Sequence, residues 1–328
     1  MLKRALWCLG WLLLACASAW AAPKRVFVVE SYHSEYPWDQ DYRRALQERL
    51  SPRCELAFYT LDSKRLPGDQ VRQRAEEALQ KIRAFNPDLV IVGDDAALQK
   101  VGRVWALQGK PVIYLGINNN PRNYFDTTPP NISGVLERPL ILRNIFELGR
   151  SIKGMRRALT MFDSDLTSRI IRDETFVGRD SIRLGDIDVD ISLTDSFAAW
   201  QQKVLDAPKQ YQAIWIGLYF TLRDKNGKVV DGAEVLRWTE AHSKLPLFAF
   251  WDFSVGKGKT AGGLVLTGYE QGSEAGKMAN AYLFGGKPLS GLFPVTPSEG
   301  EYLFSRSELA RYGITLPEKV RARSRWLE

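Results

Sequence analysis

The sequence predicts an α/β protein built as two doubly wound parallel-sheet lobes joined by hinge crossovers. Three observations carry this. Short β-rich apolar runs alternate with amphipathic stretches of helix length, the pattern of parallel sheets covered on both faces. The pattern starts afresh after Asn131-Ile132-Ser133-Gly134-Val135, so two successive sets of about five strands follow one another. Each set is domain-sized, which favours two lobes over one continuous sheet of about ten strands.

In the first set the strands are Arg25 to Glu30, Glu55 to Thr60, Asp88 to Val92 and Pro111 to Gly116. Helical spacing of apolar residues fills Asp69 to Phe85 and Ala96 to Gln108 between the last three. The second set reads Arg157 to Phe162, Ile187 to Leu193, Gln212 to Gly217, Leu245 to Phe250 and Gly263 to Gly268. A helix over Ser273 to Phe284, the break Gly285-Gly286-Lys287-Pro288 and a tail follow both sets. That tail has to return to each lobe in turn, which predicts several crossings. The expected division is a leader over 1–21, a first lobe of 22–136 with 270–292, and a second lobe of 137–269 with 293–328.

The leader rests on its own signals. Met1-Leu2-Lys3-Arg4 is positive, Ala5 to Ala17 is apolar but too short to span a bilayer, and Ala19-Trp20-Ala21 offers small residues where a signal peptidase reads. A secretory signal and a periplasmic product follow. Leu13-Leu14-Ala15-Cys16 also resembles a lipoprotein box, in which an acylated Cys16 would become the N-terminus; Leu14 is unusual at its place in that box.

Of 328 residues, 45% are hydrophobic and 25% charged, which excludes a disordered or low-complexity chain. The formal charge is +7, falling to +5 once Lys3 and Arg4 leave with the leader, and the charges are interspersed. No nucleic-acid partner is implied. Two His and three Cys are too few for most structural zinc sites or a disulfide framework, and cleavage leaves Cys54 alone. No metal or cofactor is expected.

Apparent catalytic motifs fail on context. Gly256-Lys257-Gly258-Lys259-Thr260-Ala261 mimics a dinucleotide loop, but a strand follows where a helix must begin. As the end of a phosphate loop it has Phe253 where the first Gly belongs. Asp186, Asp188 and Asp190 mimic a calcium loop, but Ile191 and Phe197 replace its turn glycine and bidentate acid. They fit the exposed face of a strand whose Ile187, Val189, Ile191 and Leu193 point inward. There is no Gly-x-Ser-x-Gly elbow, His242 lies in a polar helix end, and Cys54 reads as a small buried hydrophobe. An enzyme is not expected.

Ligands of open parallel sheets lie beyond the carboxyl ends of the strands. Here those ends are polar and aromatic. The candidates are Ser31, Tyr32, His33 and Trp38 after the first strand, Asp94 and Asp95 after the third, and Asn118, Asn119 and Asn120 after the fourth. The second set adds Asp163, Ser164, Thr167 and Ser168, then Tyr219, then Trp251 and Asp252. Asp94, Asp95, Ser164 and Thr167 fit helix caps equally well, the three Asn a turn, and Tyr36 with Trp38 the edge of a core. Caps do not explain why both sets gather aromatics and hydrogen-bonding groups at the same edge, and facing edges of this kind make an interlobe cleft.

The order of leader, two lobes, Asn131-Ile132-Ser133-Gly134-Val135 before Leu136-Glu137-Arg138, Gly285-Gly286-Lys287-Pro288 and the ending Ala310-Arg311-Tyr312-Gly313-Ile314-Thr315-Leu316-Pro317 resembles the periplasmic substrate-binding proteins of ABC transporters. The similarity is to the branch whose known members bind tryptophan, tyrosine or phenylalanine, and it covers nearly the whole mature chain. The resemblance implies a bilobed type I fold that closes on one small ligand by hinge bending and delivers it to an ABC permease, and a monomer is expected. It also brings Glu137 into the site. An ammonium would meet Asp94, Asp95 or Asp252, a carboxylate the hydroxyls and free N–H groups near Ser164, Thr167 and Ser168, and an apolar body Tyr32, Trp38, Tyr219 or Trp251. The sequence departs from that branch in Tyr36-Pro37-Trp38-Asp39 and Gly217-Leu218-Tyr219-Phe220, so another ligand is compatible with it. The alternative role is a sensory module reporting to a membrane histidine kinase or diguanylate cyclase.

Overall fold

The computed structural model describes residues 22–297 and 299–328, so the leader and the lipoprotein box lie outside the described residues. Among the described residues, two five-stranded sheets and one three-stranded sheet organise the fold. The first contains β1 (Lys24–Glu30), β2 (Cys54–Thr60), β3 (Leu89–Gly93), β4 (Val112–Ile117) and β5 (Ile132–Leu136), all parallel, in the order β2-β1-β3-β4-β5. Every residue of β3 and β4 is buried, because helices cover both faces; that is why these strands read as unbroken apolar runs.

The second sheet contains β6 (Arg157–Asp163), β7 (Ser181–Leu184), β8 (Ile187–Thr194), β9 (Ala213–Ile216) and β10 (Leu247–Ala249), in the order β10-β9-β6-β8-β7. Its edge strand β7 runs antiparallel to β8. Along β8 burial alternates as the spacing predicts, with Ile187, Val189 and Ile191 inside and Asp188 and Asp190 on the wetter face, but Leu193 near the strand end is only half-buried and Asp186 falls in the exposed turn before the strand.

The expected strand list needs three corrections. The segment Asn131 to Val135, read as a crossover, is largely β5, the fifth strand of the first sheet. The edge strand β7 is not in the list, since a four-residue run with only its even positions half-buried carries little apolar signal. The run Gly263 to Gly268, expected in the second sheet, becomes β11 (Gly262–Val265) of a third sheet with β12 (Glu301–Ser305) and β13 (Ser324–Leu327). It still runs parallel to β10, bonded at both ends through Ala261 N to Leu247 O at 2.8 Å and Leu266 N to Phe250 O at 3.0 Å, while between them Asn144 Nδ2 donates to Ala249 O at 2.8 Å and Leu264 O at 3.0 Å in place of direct ladder bonds.

Among the described residues the chain crosses between the lobes at three places. It leaves β5 for the helix Ile141–Gly149, leaves β11 for the helix Gly268–Leu283, and returns through Val295, which exchanges backbone hydrogen bonds with Gly134 and Leu136, to β12. The helix Gly268–Leu283 lies against the helix Pro37–Leu50 of the first lobe. Gly268, Gly272 and Gly276 form the contact, and a Cβ on Gly272 would sit 2.4 Å from the Tyr42 carbonyl. Gly272→Ala is therefore expected to destabilise the protein by about 1–3 kcal/mol, read from the urea midpoint, because backbone must move to admit the methyl. An unchanged midpoint would show that the two helices can separate freely.

Candidate functional site

The carboxyl ends of β1, β3 and β4 face those of β6, β9 and β10 across a nearly shut cleft. Tyr32, Tyr36, Trp38 and Asp94 come from the first lobe, Glu137 from the first crossover, and Thr167, Leu218, Trp251 and Phe253 from the second lobe. The free space between them is about 10 Å³, room for about one water, so any larger guest requires the lobes to part.

Each wall is held by ties that cross the cleft. Tyr32 OH and Thr167 Oγ1 lie 3.3 Å apart, and Trp251 Nε1 donates to Glu137 Oε1 at 2.7 Å. A third tie, charged on both sides, runs from Lys64 Nζ to Asp165 Oδ2 at 2.9 Å and is made by a lysine side chain with no exposure at all. Burial alone would push the Lys64 ammonium down, but Asp165, Asp163 and Asp94 outweigh it and hold it above its ordinary value. Its Nζ also lies 4.5 Å from the Tyr32 ring centre and 5.7 Å from that of Tyr36.

Asp94 is the least satisfied group in the cleft. It is 2% exposed, its Oδ2 has no partner, and its backbone sits at φ 67°, a conformation rare outside glycine. Gly116, itself at φ 68°, makes the space, since a Cβ there would meet Asp94 Oδ1 at 2.8 Å. Burial, then Asp39, Glu137 and Asp95, push the Asp94 carboxyl well above the usual carboxylate range. Burial likewise pushes Glu137 up to about 7, against the pull of Trp251 and Asn118. The Trp38 indole N–H is also buried without a partner.

Six of the sequence-read candidates, Tyr32, Trp38, Asp94, Glu137, Thr167 and Trp251, thus line the cavity. Others are spent on the scaffold. Ser31 donates to Gly93 O and accepts from Ala97 N; Asp95 accepts from Asn118 N, Asn119 N and Tyr124 OH. Asn118 donates to Glu137 Oε2 at 2.7 Å and so stands directly behind the cavity. Asn119 and Asn120 close a surface turn, where Asn120 caps Pro121–Tyr124.

The anion cradle expected near Ser164, Thr167 and Ser168 is differently occupied. Ser168 donates to Asp163 Oδ1, Asp163 also takes the Thr221 N–H, and Asp165 sits at the N-cap of Leu166–Thr175. Two carboxylates therefore already face that helix start. Ser164 is half-buried and offers only its carbonyl, to Arg169. Tyr219 turns its hydroxyl to Ser254 and stacks on Phe220.

His33 and Asp252 lie in neighbouring grooves. His33 borders one of about 820 Å³ at the cleft mouth, where burial lowers its pKa. Asp252 faces Asp41 in another of about 310 Å³, and burial together with Asp41 pushes it up to about 7.

The cavity also contains residues outside the candidate set: Tyr36, Leu218 and Phe253, with Lys64 behind them. The rule of strand ends applied to β2 finds the last of these, in Leu61-Asp62-Ser63-Lys64.

No protein-family model matches the chain, and no curated protein does. Solved structures do. The chain superposes on an ABC domain in complex with L-Trp from Streptococcus pneumonia with TM-score 0.68 at 18% identity, covering 92% of this chain and 100% of that one. A conserved domain protein from Vibrio cholerae gives TM-score 0.66 at 14% identity, covering 93% and 99%. A substrate-binding protein with adhesive properties from Clostridium difficile, in its ligand-free, open form, gives 0.64 at 12%, again covering 93% and 99%. The architecture is that of the type I periplasmic binding proteins. In this chain that fold consists of two doubly wound lobes, a third small sheet and three crossovers around a nearly closed cleft.

Proposed function

We propose that this chain is an exported receptor that captures a small polar or aromatic, amino-acid-like solute between its lobes and delivers it to an ABC permease. The observation that carries the reading is Asp94, a buried carboxylate with a free oxygen, in an aromatic cleft to which both lobes contribute. Likeness of fold to an L-Trp-bound structure supports a solute of this size. Binding and release follow from lobe motion, since about 10 Å³ admits no such solute while the lobes touch.

Trp38 and Trp251 both line the cavity, so capture is expected to shift tryptophan emission. The experiment is mass spectrometry of the purified protein under native and then denaturing conditions, followed by add-back of amino acids and amines to unfolded and refolded protein. A released solute that restores an emission shift and raises the melting temperature supports the reading. Absence of any solute, with no response to the whole panel, overturns it.

A further inference from the structure

We infer that the captured solute is an organic cation without a carboxylate, an amine rather than the corresponding amino acid. The inference rests on the solute-capture reading and narrows it. Of the side chains that line the cavity, two are carboxylates, Asp94 and Glu137, and none is Lys or Arg. Five are aromatic: Tyr32, Tyr36, Trp38, Trp251 and Phe253. An aromatic enclosure with carboxylates at its wall attracts ammonium groups through ring quadrupoles and charge together.

Lys64 and Arg138, cations close behind the cavity wall, are committed. Lys64 is held by Asp165 at 2.9 Å, and Arg138 donates to the carbonyls of Ile117 at 2.8 Å and Asn118 at 2.9 Å. A ligand carboxylate would thus enter a low-dielectric space facing Asp94 and Glu137 with no cation among the lining side chains to meet it, while Asp163 and Asp165 already face the nearest helix start. The unpartnered Asp94 Oδ2, by contrast, is an acceptor awaiting a donor. Lys64 supplies an internal precedent, since the fold already places one ammonium 4.5 Å from the centre of the Tyr32 ring. The unpaired Trp38 N–H adds a donor for a neutral oxygen, which a hydroxylated amine can supply.

Titration calorimetry with matched pairs tests this: tryptamine against tryptophan, tyramine against tyrosine, and choline as a cation without an aromatic ring. At least one of the three amines is expected to bind, and a binding tryptamine or tyramine to bind at least tenfold more tightly than its amino acid. An amino acid binding as tightly as its amine, or an uncharged or anionic solute binding while none of the amines does, overturns the cation assignment and leaves solute capture standing. If no solute of any charge binds and none is released on denaturation, the capture reading itself falls, and the inference with it.

Discussion

Replacing Lys64 by Met is expected to destabilise the protein by about 3 kcal/mol and to open the lobes, seen as a lower urea midpoint and a larger radius of gyration in X-ray scattering. Met nearly preserves the apolar volume of the lysine stem, so the effect isolates the charge. Lys64 has a side chain with no exposure, while Asp165 keeps 24% of its own exposed. That partial exposure lets water reach the stranded carboxylate and places the effect at the low end of the range for broken buried pairs. Removing the ammonium also leaves Asp165, Asp163 and Asp94 without the buried positive charge that all three face. Because Asp165 is held below the usual range by Lys64 despite its burial, the pair stabilises the fold above the ordinary Asp pKa, and this part is lost as pH falls through the lowered value. The double variant Lys64→Met with Asp165→Asn is expected to recover much of the midpoint while remaining open. An unchanged midpoint and radius in the single variant would show that the pair contributes neither stability nor closure.

The tie between Lys64 and Asp165 also marks where sequence reading ends. Buried parallel strands such as β3 and β4 are legible because both faces are covered and every position is apolar. The third sheet is not legible in that way. That β11 meets β10 only at its ends, around Asn144, and forms its ladder with β12 much later in the chain is decided by distant partners that no local pattern reports. The candidate site divides along the same line. Aromatic and acidic residues at strand ends can be listed from the sequence, and six of them do meet at the cavity. Which polar groups are consumed by the scaffold is a matter of distant partners: Asp95 is satisfied by Tyr124 and the Asn118 turn, Ser168 by Asp163, whereas Asp94 beside Asp95 is left free. Adjacent aspartates with similar local sequence thus end in opposite roles. The difference arises from the φ of 67° that turns Asp94 toward the cleft, and from Gly116, which leaves it room.

Asp94→Asn is expected to weaken amine binding about 100-fold, or about 2.7 kcal/mol, while raising rather than lowering the melting temperature. Asn is the informative substitution because it tolerates positive φ as well as Asp does, so the backbone at 67° is undisturbed; Ala would add strain there and confuse the result. The stability gain follows from the surroundings. Asp94 is buried with Asp39, Glu137 and Asp95 as negative neighbours and Lys64 as its positive one, so its ionised form is disfavoured in the folded state. A carboxyl whose folded pKa is raised keeps its proton to higher pH than in the unfolded chain. Its contribution is therefore most favourable below the ordinary Asp value near 4, and declines as pH rises toward the raised folded value. The variant should show a shallower loss of stability over that interval. Binding runs the other way, because a cationic amine needs Asp94 ionised: wild-type affinity is expected to rise with pH across the same interval, with release of a proton on binding, and the variant's pH dependence should be weaker. Calorimetry in two buffers of different ionisation enthalpy measures that proton directly. Equal amine affinity in wild type and variant would remove Asp94 from the binding site, and a fall in melting temperature would show that its carboxylate is needed by the scaffold instead.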